Sequence, residues 1–161
     1  RAADELEIPF VASGGMADAR SLVAAMALGA EGMNMGTRFI ATKDAPVHQN
    51  VKEAIVNASE LDTRLIMRSL TNTERVLNNP AVESLMAKEK ALGDELTFED
   101  IVDEVAGVYP KVMMEGEPEA GAWSCGMVAG LVNDIPTVEE LINTIMSEAE
   151  DIIASKLQKA I

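Results

Sequence analysis

The sequence predicts an α/β fold built on parallel strands, and three observations predict it. A short unbroken apolar run, residues 8–13 (IPFVAS), has the composition of a strand covered on both faces, with Pro9 at its start. Two glycines, Gly14 and Gly15, end that run, and a segment of helical periodicity follows. A second short apolar run, residues 32–35 (GMNM), then stops at Gly36. Strand, glycines, helix, strand and glycine in this order make one βαβ unit, which implies a parallel sheet and a right-handed crossover.

The remaining elements read in order. Asp18 caps a helix over residues 19–28 whose inner face carries Leu22, Val23 and Met26, and Gly29 stops it. After Thr42 the pattern becomes helical, with Val47, Val51, Ala54, Ile55 and Ala58 on one stripe. Residues 63–70 are compatible with an extended segment. Residues 74–92 predict a charged amphipathic helix, with Pro80 as its point of interruption. Thr97 and Asp100 form a capping box for a helix that ends at Gly107, and residues 115–121 are a polar connection. Thr137 and Glu140 form another box, opening a last helix with Leu141, Ile142, Ile145, Met146, Ala149, Ile152, Ile153 and Leu157 on one stripe.

Composition narrows the class of function. Hydrophobic residues make up 48% and charged residues 25%, which excludes a disordered chain. Aromatics are only 3%, so the core rests on aliphatic residues and methionine. A formal net charge of -14 repels phosphodiester backbones and anionic bilayers, which argues against nucleic acid and membrane as partners. No apolar run approaches the roughly 20 residues of a membrane span. Cys125 is the lone cysteine and has no intrachain disulfide partner, which fits a cytoplasmic protein. The carboxylates are spread along helix faces, and no metal-ligand cluster is visible.

The pieces suited to chemistry are the two glycine turns. Ser13, Gly14 and Gly15 follow the first strand directly, and Gly36 and Thr37 follow the second. Glycine lets backbone N–H groups approach an anion closely, because no Cβ intervenes. The helix after the first turn would add the positive end of its dipole. In a parallel barrel both turns lie side by side at one face, where a phosphate is commonly held.

Here the resemblance becomes specific. The stretch IPFVASGGMADARSLVAAMALGAEGMNMGTRFIAT resembles the last βαβ unit of the nitronate monooxygenases, formerly 2-nitropropane dioxygenases. It is also similar to FMN-dependent enoyl-ACP reductases of the same superfamily. KDAPVHQNVKEAIVNASELDTRLIMRSL and AWSCGMVAGLVNDIPTVEELI resemble later parts of the same proteins. The resemblance implies an α/β fold that is the C-terminal portion of a (β/α)8 barrel with a mainly helical insert after the last strand. Residues 1–42 would be the last βαβ unit with the FMN phosphate loops, 43–120 the insert, and 121–161 the closing segment and C-terminal helix. It implies FMN as cofactor, with Ser13, Gly14, Gly15, Gly36 and Thr37 at its phosphate, and a nitronate and O2 as small-molecule partners. A closed (β/α)8 barrel typically needs about 250 residues. The chain has 161 residues and opens on Arg1, so it reads as a piece of such an enzyme, with self-association into a homo-oligomer left open.

Two departures qualify the resemblance. Many relatives carry Ala-Gly-Gln where this chain has Cys125, Gly126 and Met127, and a methionine cannot supply the amide hydrogen bonds of glutamine. The family's general base is a histidine in a Gly-Gly-His motif upstream of these residues, so no catalytic residue is expected in this chain. His48, the one histidine, fits a hydrogen-bonding or packing role better than a catalytic one. Arg38 suits either the phosphate or an ion pair, whereas Trp123, Cys125 and the methionines, including Met33, Met35, Met113 and Met114, suit the core. The functional expectation is oxidation of alkyl nitronates by O2 to a carbonyl compound and nitrite. The alternatives are an FMN-dependent enoyl-ACP reductase and a non-catalytic helical interaction module.

Overall fold

The structure is a computed structural model and describes residues 1–160. After a single turn of helix α1 (Ala2–Glu5), strand β1 (Val11–Ser13) pairs in parallel with β2 (Gly32–Asn34). Their crossover is helix α2 (Ala19–Ala27). The pairing is in register, with Val11 opposite Gly32, Ala12 opposite Met33 and Ser13 opposite Asn34. Successive side chains of a strand alternate between faces. Ala12 and Met33 therefore share the face that carries the helices, where Met33 packs with Met35, Leu141 and Ile145.

The other face of this pair carries Val11, Ser13, Gly32 and Asn34, and it is open. Ile8 and Val11 are 68% and 59% exposed, so the expected cover on both faces is found on only one. The run has the composition of a doubly covered strand, but the described residues supply helices to one side alone. Its extended part is also shorter than the apolar run, starting at Val11.

Helix α2 starts where the sequence places it. Asp18 accepts the N–H of Ser21 at 2.9 Å, and the Ser21 side chain reaches back to the Asp18 N–H, closing a capping box. Gly29 ends the element at φ +97°, a left-handed conformation that glycine adopts without strain. The inner face is carried by Ala19, Val23 and Ala25 with Leu22 beside them, while Met26 is half exposed. Small alanines let α2 lie close against α7 (Val138–Ile152), where Ala149 and Ile152 meet Ala19, Leu22 and Val23. The Thr137–Glu140 box opens α7 as expected, but of its apolar stripe only Leu141, Ile145 and Ala149 are buried.

Beyond Gly36 the chain runs through α3 (Thr37–Ile40) and α4 (Gln49–Val56) to an antiparallel pair, β3 (Thr63–Ile66) and β4 (Glu74–Leu77). Helix α5 (Pro80–Leu92) and the short α6 (Val102–Val105) follow. The helix expected over 74–92 is thus two elements. Proline fits the first turn of a helix, where no N–H is required, so Pro80 starts α5 and does not interrupt it. Asn79 caps α5 by accepting the Val82 N–H at 2.9 Å. The residues before it pair with β3, Arg64 lying opposite Val76, and register across strands is invisible to helical periodicity.

Two apolar clusters fill this second region. Ile66, Val76, Val82, Leu85 and Ile101 form one, and Val51, Ile55, Val112, Trp123, Cys125 and Ala129 form the other. A buried carboxylate ties α5 to α6, since Glu104 accepts from Ser84 Oγ at 2.8 Å and from Lys88 Nζ at 2.7 Å. Among the described residues no helix is long and apolar enough to cross a membrane.

Partial burial works against the Asp18 carboxylate, but hydrogen bonds from Ser21 and the Arg20 guanidinium together hold its pKa below the ordinary value. A depressed folded pKa stabilises above the unfolded value of about 4, and that contribution is lost as pH falls below it. Asp18→Ala is expected to cost about 1 kcal/mol at neutral pH, with the difference from wild type shrinking below about pH 3. Urea unfolding of both proteins at the two pH values checks this. A difference that persists in acid would assign the effect to packing.

Candidate functional site

The two glycine turns lie at the C-terminal ends of adjacent parallel strands. Ser13 and Asn34 are the last paired residues, so one strand leaves the sheet at Gly14 and its neighbour at Met35, one residue before Gly36. On the open face Asn34 Nδ2 donates to Ser13 Oγ at 3.4 Å, joining the two strand ends. Asn34 was not singled out from sequence. The signal for it was present, however: an amide in a short strand whose other side chains are methionines.

Gly14 and Gly15 adopt φ of +91° and +73°, which side-chain-bearing residues rarely take. A Cβ built on Gly14, Gly15 or Gly36 would meet no atom within 4 Å, so open space faces all three. Among the described residues the backbone N–H groups of Gly14, Gly15, Gly36 and Thr37 have no acceptor in the protein. Exposed amides without a protein acceptor, on turns at the ends of paired strands, are groups that can bind an anion.

The helix dipole expected at the first turn is already answered. Asp18 accepts from the Ser21 N–H and hydroxyl, and Ser21 Oγ accepts from the Ala17 and Asp18 N–H groups at 3.2 and 3.3 Å. A carboxylate therefore takes the place at the start of α2 that an external anion would take. At the first turn an anion would be left with the glycine amides.

The second turn is met by the closing segment. Residues 123–125 run antiparallel beside β4: Leu77 donates its N–H to the Trp123 carbonyl, and Cys125 to the Arg75 carbonyl at 3.0 Å. Ser124 Oγ also donates to the Glu74 carboxylate. The Trp123 ring is fully buried, and its Nε1 donates to the Pro118 carbonyl at 2.9 Å. Gly126, next in the chain, donates its N–H to Thr37 Oγ1 at 2.9 Å. The polar contact made here is thus a backbone one. Met127 is half exposed and takes no part in it.

The other candidates are structural. Arg38 is 4% exposed and bonds Asp134 Oδ1 at 2.7 Å and the Asp134 carbonyl at 3.1 Å, which is the ion-pair alternative. His48 is the N-cap of α4: its Nδ1 accepts from the Asn50 N–H at 3.1 Å. Its ring lies against Gly116, where any Cβ would collide with it. Met35 is buried with Met33 packed beside it, Met113 is buried in the cluster around Trp123, and Met114 is 67% exposed. Among the described residues no group of histidine, cysteine or acidic side chains is arranged to hold a metal ion.

A parallel strand pair with helices on one face, an open inner face and glycine turns at the strand ends defines the class: the fold is part of a (β/α)8 barrel. The chain belongs to the nitronate monooxygenase family, whose model matches residues 1–148. It is similar to FabK from Thermotoga maritima, with a TM-score of 0.89 and 34% identity over 99% of this chain and 49% of that one. It is 31% identical to (3aS,4S,5R,7aS)-5-hydroxy-7a-methyl-1-oxo-octahydro-1H-indene-4-carboxyl-CoA dehydrogenase of Rhodococcus jostii, over 91% of this chain and 51% of that protein. To a probable nitronate monooxygenase of Staphylococcus haemolyticus it is 37% identical over 53% of this chain and 24% of that protein. The chain thus spans about half the length of the relatives that it matches along most of its own.

Burial pushes the Cys125 thiol up to about 11, against a hydrogen bond from Thr37 that opposes the shift. The folded state therefore favours the neutral thiol, and stability is expected to fall as pH rises from about 9 towards 11. At pH 8 a disulfide reagent should label the native protein at least about a hundredfold more slowly than the unfolded one. Equal labelling rates with and without denaturant would show Cys125 to be accessible.

Proposed function

We propose that this chain holds the phosphate of FMN in a flavin-dependent oxidoreductase that oxidises alkyl nitronates with O2 to a carbonyl compound and nitrite. The observation that carries the reading is the pair of adjacent turns with four unpaired amides facing open space. These residues fit a phosphate monoester: the space where side chains would stand is free, and the donors follow the ends of two paired strands. The flavin, when bound, supplies the electron-transfer chemistry, and the protein supplies position and electrostatics.

In this reading Gly14, Gly15, Gly36 and Thr37 bind phosphate oxygens through backbone N–H groups. Ser13, held by Asn34, stands at the rim on the open face. Residues 1–42 are the last βαβ unit and carry these turns, 43–120 are the insert, and 121–161 are the closing segment, which reaches the second turn through Gly126, and the C-terminal helix. No residue of the chain is assigned as general base, and His48 is committed to capping α4.

A second reading has its own support. Among relatives at least 30% identical, FabK and a carboxyl-CoA dehydrogenase align along 99% and 91% of this chain and the probable nitronate monooxygenase along 53%, while a nitroalkane oxidase that covers 94% at 19% identity shares the fold alone. This favours an oxidoreductase of acyl thioesters, such as an enoyl-ACP reductase. Assaying the intact flavoprotein for nitronate-driven O2 uptake and for NAD(P)H oxidation with an enoyl thioester separates the two. Uptake without thioester turnover supports the first reading, and the reverse supports the second.

Gly15→Asp should weaken FMN binding at least about a hundredfold, because it places a carboxylate beside the phosphate dianion. Flavin content and fluorescence titration measure this, and unchanged flavin content would reject the site. His48→Ala should leave FMN affinity intact and cost about 1 kcal/mol of stability through the lost cap. Loss of turnover by orders of magnitude with flavin retained would show that His48 acts in the chemistry.

A further inference from the structure

The hydrogen bond between the closing segment and the second turn joins residues 89 positions apart in sequence at 2.9 Å. A hydroxyl has a single proton and can also accept. With Thr37 Oγ1 accepting from Gly126, its proton is directed away from that N–H: onto the neighbouring Cys125 sulfur when no anion is bound, and, by rotation about the Cβ–Oγ1 bond, onto an anion held before the turn. Gly126 has φ of -78° and ψ of 158°, an ordinary extended conformation, so neither backbone strain nor left-handed geometry requires glycine there. A Cβ at this position would stand 3.4 Å from Thr37 Oγ1 and 3.5 Å from Val128 Cγ1, close to ordinary contact. The feature that matters is the N–H and what it does to Thr37.

We propose that Gly126 is a positioning residue for the phosphate site: its N–H holds the Thr37 hydroxyl as an acceptor and so presents the hydroxyl proton to the anion. The inference rests on the phosphate-binding reading of the two turns. It makes the closing segment a part of cofactor recognition, although none of its side chains reaches the anion. Arrival of the segment depends in turn on its pairing with β4, through the Cys125 N–H to the Arg75 carbonyl.

The test compares FMN with riboflavin, which has the same ring and ribityl chain without the phosphate. Gly126→Pro removes the N–H at a φ that proline accepts, and Thr37→Val removes the hydroxyl. In the intact protein each variant should weaken FMN binding about tenfold and leave riboflavin binding unchanged. The double variant should lose little more than either one, since both act on the same contact. Gly126→Ala restores the N–H and Thr37→Ser the hydroxyl, and each should regain most of the lost FMN affinity. Equal weakening of FMN and riboflavin, additive losses, or unchanged FMN affinity in Thr37→Val would overturn the inference while leaving the phosphate site standing. Wild-type protein that binds FMN no better than riboflavin would overturn both.

Discussion

Everything at the candidate site depends on the in-register parallel pairing of Val11, Ala12 and Ser13 with Gly32, Met33 and Asn34. Parallel neighbours cannot be joined by a tight hairpin, so α2 must carry the chain from one end of the sheet back to the other. That helix in turn is held by its Asp18–Ser21 box and by packing on α7. A slip of one residue in either strand would exchange its faces. In β1 it would turn Ser13 towards the helices and Ala12 towards the open side. In β2 it would bury Asn34 and expose Met33. The pairing therefore places the two glycine turns next to each other and also decides which side chains stand beside them.

Electrostatics sets a second constraint. The chain carries a formal charge of -14, and no lysine or arginine stands within the turn residues 13–16 or 34–37. The nearby Arg38 guanidinium is bound to Asp134, and the start of α2 is occupied by the Asp18 carboxylate. An anion held here would rest on backbone dipoles and a hydroxyl, all neutral groups whose value comes from fixed orientation and not from net charge. Such a site depends on rigidity. That gives physical weight to contacts that immobilise the turns: Asn34 to Ser13 on one side and Gly126 to Thr37 on the other.

The region after Thr42 supplies that rigidity from a distance. Its two apolar clusters seat the β3–β4 pair and the buried Trp123, and the strand-like residues 123–125 extend that pair by hydrogen bonds to Arg75 and Leu77. The closing segment reaches the second turn as one edge of a packed unit. Cys125 is buried beside Thr37 as part of this seam, where its raised pKa keeps the thiol neutral and fit for a packing role.

Local rules made much of this legible in the sequence. Glycine pairs, capping boxes and apolar runs depend on neighbours within four residues, so Asp18, Gly29, Thr137 and the two turns stand where the sequence places them. The βαβ order, the α/β class and the family resemblance follow from the same stretch. Tertiary structure decided what local patterns cannot encode. It made residues 74–77 a strand, because their partner lies across a turn in β3 and Pro80 opens the next helix. It gave Arg38 to Asp134, 96 positions away, and filled the start of α2 with a side chain instead of a ligand. It left one face of β1 open because cover for a strand comes from whatever packs on it, and a run of apolar residues states only that cover is needed. It brought Gly126 to Thr37, a contact between a backbone N–H and a hydroxyl that leaves no mark in composition, since every residue except proline carries that N–H.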